Sequence, residues 1–122
     1  MQIIWKNFPL PMHTKAPAAH AAAEAAHRQE KFWEMYDLLF ADQQQLEPAQ
    51  FEKYATQLGL DLGRFKADVA SAEVRARIDA DAKEGLALGI TGAPGFFVNG
   101  RFVYGAQPYE VFKKLVDEEL AQ

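Results

Sequence analysis

The sequence has no cysteine among its 122 residues, although 49% of them are hydrophobic. This absence excludes a structural disulfide, a thiolate zinc site and a cysteine nucleophile within the chain. Serine occurs once, at Ser71, which leaves almost nothing for a serine–histidine hydrolase. Phosphate-binding glycine motifs are missing as well. The sequence therefore predicts no cofactor and no metal ion.

The chain also lacks a strong charge of one sign and a long apolar run. Its 13 basic and 17 acidic residues leave a formal charge of −4. A mildly acidic surface argues against nucleic acid and anionic membranes as partners. No run approaches the roughly 20 apolar residues of a membrane span. Residues 1–6 do not form a basic-then-apolar leader, so the sequence leaves the compartment open.

Most of the chain predicts helix. The segment 2–8 is rich in β-branched and aromatic residues and predicts an opening strand, ended by Pro9 and Pro11. Helices are expected through residues 14–88, with starts or caps at Thr14, Pro48, Asp61 and Ser71. Glycines expected to end helices are Gly59 and Gly89.

Helical spacing indicates which faces are buried. One stripe is predicted to pack in a core, with a ligand groove as the weaker alternative: Phe32, Trp33, Tyr36, Leu39 and Phe40. The last helix before Gly89 is expected to bury Val74, Ile78, Ala82 and Leu86. Its charged face mixes signs and predicts solvent exposure for Glu73, Arg75, Arg77, Asp79, Asp81, Lys83 and Glu84.

In the last third of the sequence the pattern of apolar residues changes from a helical period to one typical of strands. Two β-prone runs, 96–98 and 101–104, flank Asn99 and Gly100, which is the strongest short-range signal for a hairpin. Pro108 then starts a final amphipathic helix. The order strand, helices, hairpin, helix, without an internal repeat or linker, predicts one α/β domain.

Three segments together resemble the DsbA-like thiol–disulfide oxidoreductases: IIWKNFPLP, KFWEMYDLLFADQQQ and GITGAPGFFVNGRFVYGAQPYEVFKKLVDEEL. The resemblance implies a thioredoxin fold with a helical insertion at roughly 14–88. In that family a strand and a helix that carries C-x-x-C precede the segment that opens this sequence. The resemblance thus implies a single, incomplete (truncated) thioredoxin-like domain over 1–122. The family is often periplasmic or exported.

The resemblance also implies a binding site without a catalytic residue. Pro94 matches the family's cis-proline, and the loop Thr91, Gly92, Ala93 and Pro94 is expected to pair with an extended peptide substrate. The family's usual threonine or valine before this proline is Ala93 here. His13 is expected near the active-site end.

The three histidines recur every seven residues, at His13, His20 and His27, with Glu24 between the last two. On a helix, two histidines seven apart are about 10 Å from each other, too far to share one metal ion. Glu24 with either His20 or His27 is the remaining metal-binding alternative. A half-solvated helix face is the preferred interpretation.

Two functions remain open from the sequence. The first is a thiol–disulfide oxidoreductase domain or fragment that is inactive alone because its redox cysteines are absent. The second is a non-catalytic module that binds peptides or assembles with itself at the proline loop. Under both, a missing central strand leaves backbone groups unpaired, so a homo-oligomer or an exchanged strand is expected to fill the gap.

Overall fold

The computed structural model describes residues 2–10, 15–93 and 95–121 of the chain. It forms two compact units, Met1–Glu84 (unit 1) and Gly85–Gln122 (unit 2). The elements in chain order are α1 (Ala16–His27), α2 (Phe32–Ala41), α3 (Pro48–Gln57), α4 (Leu62–Val69), α5 (Ala72–Ala87), β1 (Gly95–Val98), β2 (Arg101–Tyr104) and α6 (Tyr109–Leu120). The single domain predicted over 1–122 stays a prediction.

Helix starts follow the local chemistry that the sequence indicates. The side chain of Asp61 accepts a hydrogen bond from the Arg64 N–H at 3.0 Å and caps α4. Ser71 Oγ accepts from the Val74 N–H at 3.1 Å and caps α5 in the same way. α1 begins at Ala16 with Lys15 as its N-cap, and the predicted cap Thr14 lies outside the described residues.

Unit 1 has a dense core built around an alanine-rich helix. Four small side chains of α1 are buried, which lets α2, α3 and α4 pack closely against it. The buried cluster consists of Ala22, Ala23, Ala25, Ala26, Phe32, Met35, Leu39, Phe51, Tyr54, Ala55 and Phe65. The residues that α3 contributes to this core are Phe51, Tyr54 and Ala55.

The predicted stripe of α2 is only partly correct. Phe32 and Leu39 are buried, but Trp33 is 49% exposed and Phe40 53% exposed. Met35 is fully buried, so the buried residues of α2 are Phe32, Met35 and Leu39. Trp33 and Phe40 each follow one of these residues and lie at the edge of the buried stripe. The core prediction is therefore wrong for Trp33 and Phe40.

The opening strand predicted for residues 2–8 is not formed, because residues 2–10 are irregular. A strand needs a neighbouring strand to satisfy its backbone, and within the described residues the sheet contains only β1 and β2. Side chains hold this segment instead. The Trp5 ring packs 5.8 Å from the Phe32 ring and 5.3 Å from the Tyr36 ring, and Asn7 is fully buried.

α5 corrects two further predictions. Val74 and Ile78 are buried as expected, whereas Leu86 is 61% exposed. Asp81, expected on the solvated face, is only 5% exposed. Its position continues the i, i+4, i+7 stripe that begins at Val74, so the helix turns this carboxylate inward.

Unit 2 consists of the end of α5, a hairpin and α6. Asn99 (φ +47°) and Gly100 (φ +84°) form the predicted two-residue turn between β1 and β2. A 2.6 Å ion pair joins Arg101 Nη1 to Glu118 Oε2 on α6, and this hydrogen bond lowers the pKa of Glu118.

None of the helices in residues 2–10, 15–93 and 95–121 has the length and hydrophobicity required to cross a bilayer.

Candidate functional site

The loop predicted to bind substrate lies between α5 and β1. Thr91 and Ala93 are exposed and Gly92 is half-buried. A Cβ atom on Gly92 would lie 3.2 Å from the Tyr104 hydroxyl oxygen, so this phenol rests against the loop. Pro94, the predicted cis-proline, lies outside the described residues. The structure thus brings Tyr104 to the loop, a neighbour that the sequence did not indicate.

The hairpin that follows the loop presents two different faces. Directly paired residues of antiparallel strands share a face, which places Phe96 with Val103 on one side. Phe96 packs at 4.8 Å against the Phe112 ring of α6, and Val103 is buried. The helix covers this face only in part, because Phe96 remains 40% exposed.

The opposite side of the hairpin carries three aromatic side chains, which we call the open aromatic face. They are Phe97, Phe102 and Tyr104, and they are 41%, 44% and 60% exposed. The rings of Phe97 and Phe102 lie 5.1 Å apart, and those of Phe102 and Tyr104 lie 6.3 Å apart. Three adjacent aromatic side chains without full burial are a surface that favours contact with another polypeptide.

The edges of the hairpin are also open. Within the described residues, β1 pairs only with β2, so each strand keeps one row of backbone N–H and C=O groups without a strand partner. Such an edge is a template for an added strand. The exposed residues Thr91 and Ala93 precede β1 in the chain.

Apart from this loop and hairpin, a cluster of polar side chains lies in unit 1, around Asn7. Its backbone N–H donates to Asp81 Oδ2 at 3.0 Å, and its side-chain amide donates to the same oxygen at 2.9 Å. The amide also donates to Glu24 Oε1 at 2.7 Å. Asn7 Oδ1 lies 2.8 Å from His20 Nδ1. The cluster ties the irregular segment 2–10 to α1 and α5.

These contacts determine the hydrogen-bond roles within the cluster. Ionised Glu24 and Asp81 can only accept, so the Asn7 amide nitrogen faces them and Oδ1 faces His20. Neutral His20 must then carry its proton on Nδ1 in order to donate. Burial lowers the pKa of His20 from its ordinary 6.5, while the carboxylates of Glu24 and Asp81 oppose that shift.

The other histidine predictions have different outcomes. His27 is exposed, and His13, the expected active-site neighbour, lies outside the described residues. In the part of the chain that the structure describes, no group of three or more His, Asp or Glu side chains is arranged to hold a metal ion. Glu24, the shared member of both predicted metal clamps, accepts a hydrogen bond from Asn7 instead.

Residues 2–117 match the family model described as the DSBA-like thioredoxin domain. The fold matches the crystal structure of a thioredoxin-like oxidoreductase from Silicibacter pomeroyi DSS-3 with a TM-score of 0.84. At 24% identity, that match covers 96% of this chain and 67% of the other. The likeness shows the fold and confirms the predicted thioredoxin-like, DsbA-type class.

Two curated proteins are more similar in sequence. The chain is 42% identical over 112 residues to the Na(+)/H(+) antiporter NhaA 3 of Salinispora tropica, covering 91% of this chain and 17% of that protein. It is 39% identical over 122 residues to the Na(+)/H(+) antiporter NhaA 1 of Salinispora arenicola, covering 99% and 19%. The chain thus spans less than a fifth of these relatives, whose names describe the whole proteins.

Proposed function

The chain belongs to the DSBA-like thioredoxin domain family, and from this membership we propose that it is the peptide-binding part of a thiol–disulfide oxidoreductase domain. In this proposal, the loop Thr91–Pro94 and the free edge of β1 receive an extended polypeptide as an added strand. The cysteines that exchange disulfides come from outside these 122 residues, since the chain has none.

One observation carries this proposal: β1, whose outer edge is unpaired in the described residues, begins two residues after the exposed Ala93. Backbone pairing tolerates many side chains, which suits a domain that must accept varied client sequences. The Tyr104 hydroxyl beside Gly92 supports the same role, because it offers a donor next to the expected path of the peptide.

The catalytic half of the proposal is tested by insulin reduction with dithiothreitol. We expect the chain to give no acceleration over dithiothreitol alone, because no thiolate is available to attack the disulfide. Acceleration that depends on the chain would contradict the proposal.

The binding half is tested with reduced, carboxymethylated insulin B chain as an extended peptide without free thiols. Ala93→Pro removes the backbone N–H beside the expected peptide, and we expect the Kd to rise about five-fold or more, the cost of one lost backbone hydrogen bond. The control is Ala106→Pro, at an exposed alanine in the bend after β2. Equal Kd values for both folded variants would exclude the loop as the binding site.

Self-assembly is the second candidate, and the open aromatic face favours it. A β1 strand that pairs with β1 of a second copy would form a symmetric interface in which both copies use the same edge. Sedimentation equilibrium distinguishes the candidates. A concentration-dependent dimer that Phe97→Lys dissociates supports assembly, and a monomer at all concentrations contradicts it.

A further inference from the structure

Unit 1 contains an open groove that has no place in the proposed function. It has a volume of about 530 Å³, within the range of small ligand sites. We call it the aromatic groove; it is lined by Ile3, Ile4, Trp5, Glu24, His27, Glu30, Phe32, Trp33, Glu34 and Arg77.

The wall of the groove is aromatic and rigidly packed. The Phe32 ring meets the Trp33 ring edge-on at 4.9 Å and the Trp5 ring at 5.8 Å. Trp33 nevertheless remains 49% exposed, although a tryptophan ring is among the largest apolar groups that a protein can bury. Exposed Ile3 and Ile4 extend this apolar surface. The groove therefore offers exposed aromatic surface to a ligand, chiefly that of Trp33.

The rim of the groove is acidic. It carries three carboxylates, on Glu24, Glu30 and Glu34, against one guanidinium. That guanidinium, of Arg77, already faces the nearly buried Asp81 carboxylate at 3.3 Å. The Lys31 amine lies 3.3 Å from Glu34 Oε2 at the surface, where ion pairs are weak because solvent and salt screen them.

Glu30 is held at the rim by its backbone. It adopts φ +63° in the turn between α1 and α2, and its N–H donates to the His27 carbonyl at 3.0 Å. Its carboxylate makes no ion pair within the described residues. An exposed carboxylate without an ion pair in the described residues therefore lines the groove beside Trp33.

We propose that the aromatic groove binds the side chain of an arginine or lysine in an extended polypeptide. A cation is attracted both to the faces of tryptophan rings and to the carboxylates of the rim. The methylene stem of the same side chain can cover Ile3 or Ile4. Glu24 already accepts a hydrogen bond from Asn7, and Glu34 faces Lys31. The carboxylate of Glu30 therefore supplies most of the charge complementarity that selects a basic partner. This site lies in unit 1 and does not depend on the loop 91–94.

The chain provides its own probe for this site, because both of its tryptophans line the groove. The ligand is the blocked peptide acetyl-Leu-Arg-Leu-amide, and its control has citrulline in place of arginine, which keeps the shape and removes the charge. We expect saturable quenching or a shift of tryptophan fluorescence with the arginine peptide, and binding about five-fold or more weaker for citrulline. Added salt should weaken the arginine peptide only.

Matched variants locate the site. Trp33→Leu should weaken the arginine peptide about two- to five-fold, read from the remaining Trp5 signal. Glu30→Gln should weaken it by a similar factor, whereas Glu110→Gln, an exposed carboxylate on α6, should leave the Kd unchanged. Thermal melts confirm that each variant is folded.

Three results would overturn the proposal: equal affinity for both peptides, equal affinity of the Glu30→Gln and Glu110→Gln variants, or no saturable signal. A fluorescence change that appears only on raising the protein concentration, without peptide, would assign the groove to a second copy of the chain and also reject it.

Discussion

The two units differ in how they bury their apolar residues. Unit 1 encloses a core in which Met35 and Ala55 have no exposed surface and Phe65 retains 1%. In unit 2, Val103 is the buried hydrophobic residue of the hairpin, and α6 buries none of its described residues. Large side chains of unit 2 stay exposed instead: Phe96, Phe97, Phe102, Tyr104, Tyr109 and Leu120. Unit 1 thus has a large buried core, although Ile3, Ile4, Trp33 and Phe40 stay exposed, and unit 2 buries far fewer apolar residues.

This difference has a physical cause and a functional consequence. A two-stranded hairpin is at best marginally stable in water and needs further strands or helices on its faces. α6 packs against one face of the hairpin through Phe112 but leaves Phe96 40% exposed, and Phe97 on the other face is 41% exposed. The part with the weakest packing is also the part proposed to bind a partner, as expected where binding supplies missing contacts.

The largest effect should come from the core of unit 1. Phe65→Ala leaves a cavity among α1, α3 and α4, and we expect it to lower the free energy of unfolding by about 4 kcal/mol. Phe97→Ala, the matched truncation in unit 2, should cost about 1 kcal/mol, because the ring is already 41% exposed. Urea denaturation measures both. Similar losses at the two positions would mean that the units do not differ in packing.

The next effect should come from the Asn7 cluster. Asn7→Ala removes the side-chain amide that donates to the Asp81 and Glu24 carboxylates, while the backbone N–H of residue 7 still donates to Asp81, so we expect the free energy of unfolding to fall by about 2 kcal/mol. Lys66→Ala is the control, since its amine is exposed and lies 3.8 Å from a carboxylate oxygen of the half-exposed Glu52 side chain, outside the Asn7 cluster. That variant should lose less than about 1 kcal/mol. A small loss for Asn7→Ala would show that side chains do not hold the opening segment.

A smaller effect is expected at the hairpin turn. Gly100 has φ +84° and open space around its Cα, so alanine there is strained by its backbone and not by a neighbour. Gly100→Ala should cost about 1 kcal/mol, the penalty of a left-handed conformation. Urea denaturation measures this loss, and a Gly100→Ala variant as stable as the unaltered chain would contradict a strained left-handed turn.

The smallest effect is a pH dependence within unit 1. The pKa of His20 is lower in the folded chain than its ordinary 6.5, so folding favours the neutral ring. The stability that folding gains from the neutral His20 ring is fully present above pH 6.5. It is lost as the pH falls below 6.5 and through the lower pKa of the folded chain. His20→Gln should therefore show a shallower loss of stability than the unaltered chain between pH 7 and pH 5, in urea titrations at each pH. Parallel curves would reject this role of His20.

Much of the fold could be predicted because it depends on local chemistry. The caps at Asp61 and Ser71, the helix-ending Gly59 and the Asn99–Gly100 turn all act over a few neighbouring residues. The opening strand could not be predicted correctly, because strand formation depends on a partner that local propensity does not report. The exposure of Trp33 also depends on which elements pack against α2.

The candidate site was predicted only in part. The loop Thr91–Ala93 is exposed as a binding loop requires, and its role stays a prediction, as do those of Pro94 and His13. The Asn7 cluster was missed, although Asp81 gave a signal: it lies on the apolar stripe of Val74 and Ile78. Tyr104 gave no signal, since its contact with Gly92 depends on the path of the loop.

Amide hydrogen exchange, followed by NMR with and without carboxymethylated insulin B chain, tests the central claim most directly. The account predicts strong protection in α1 and α3, and weak protection in β1 that rises when the peptide binds. Protection of β1 equal to that of α1 in the free chain, or a peptide effect that leaves β1 and residues 91–93 unchanged, would contradict an open binding edge.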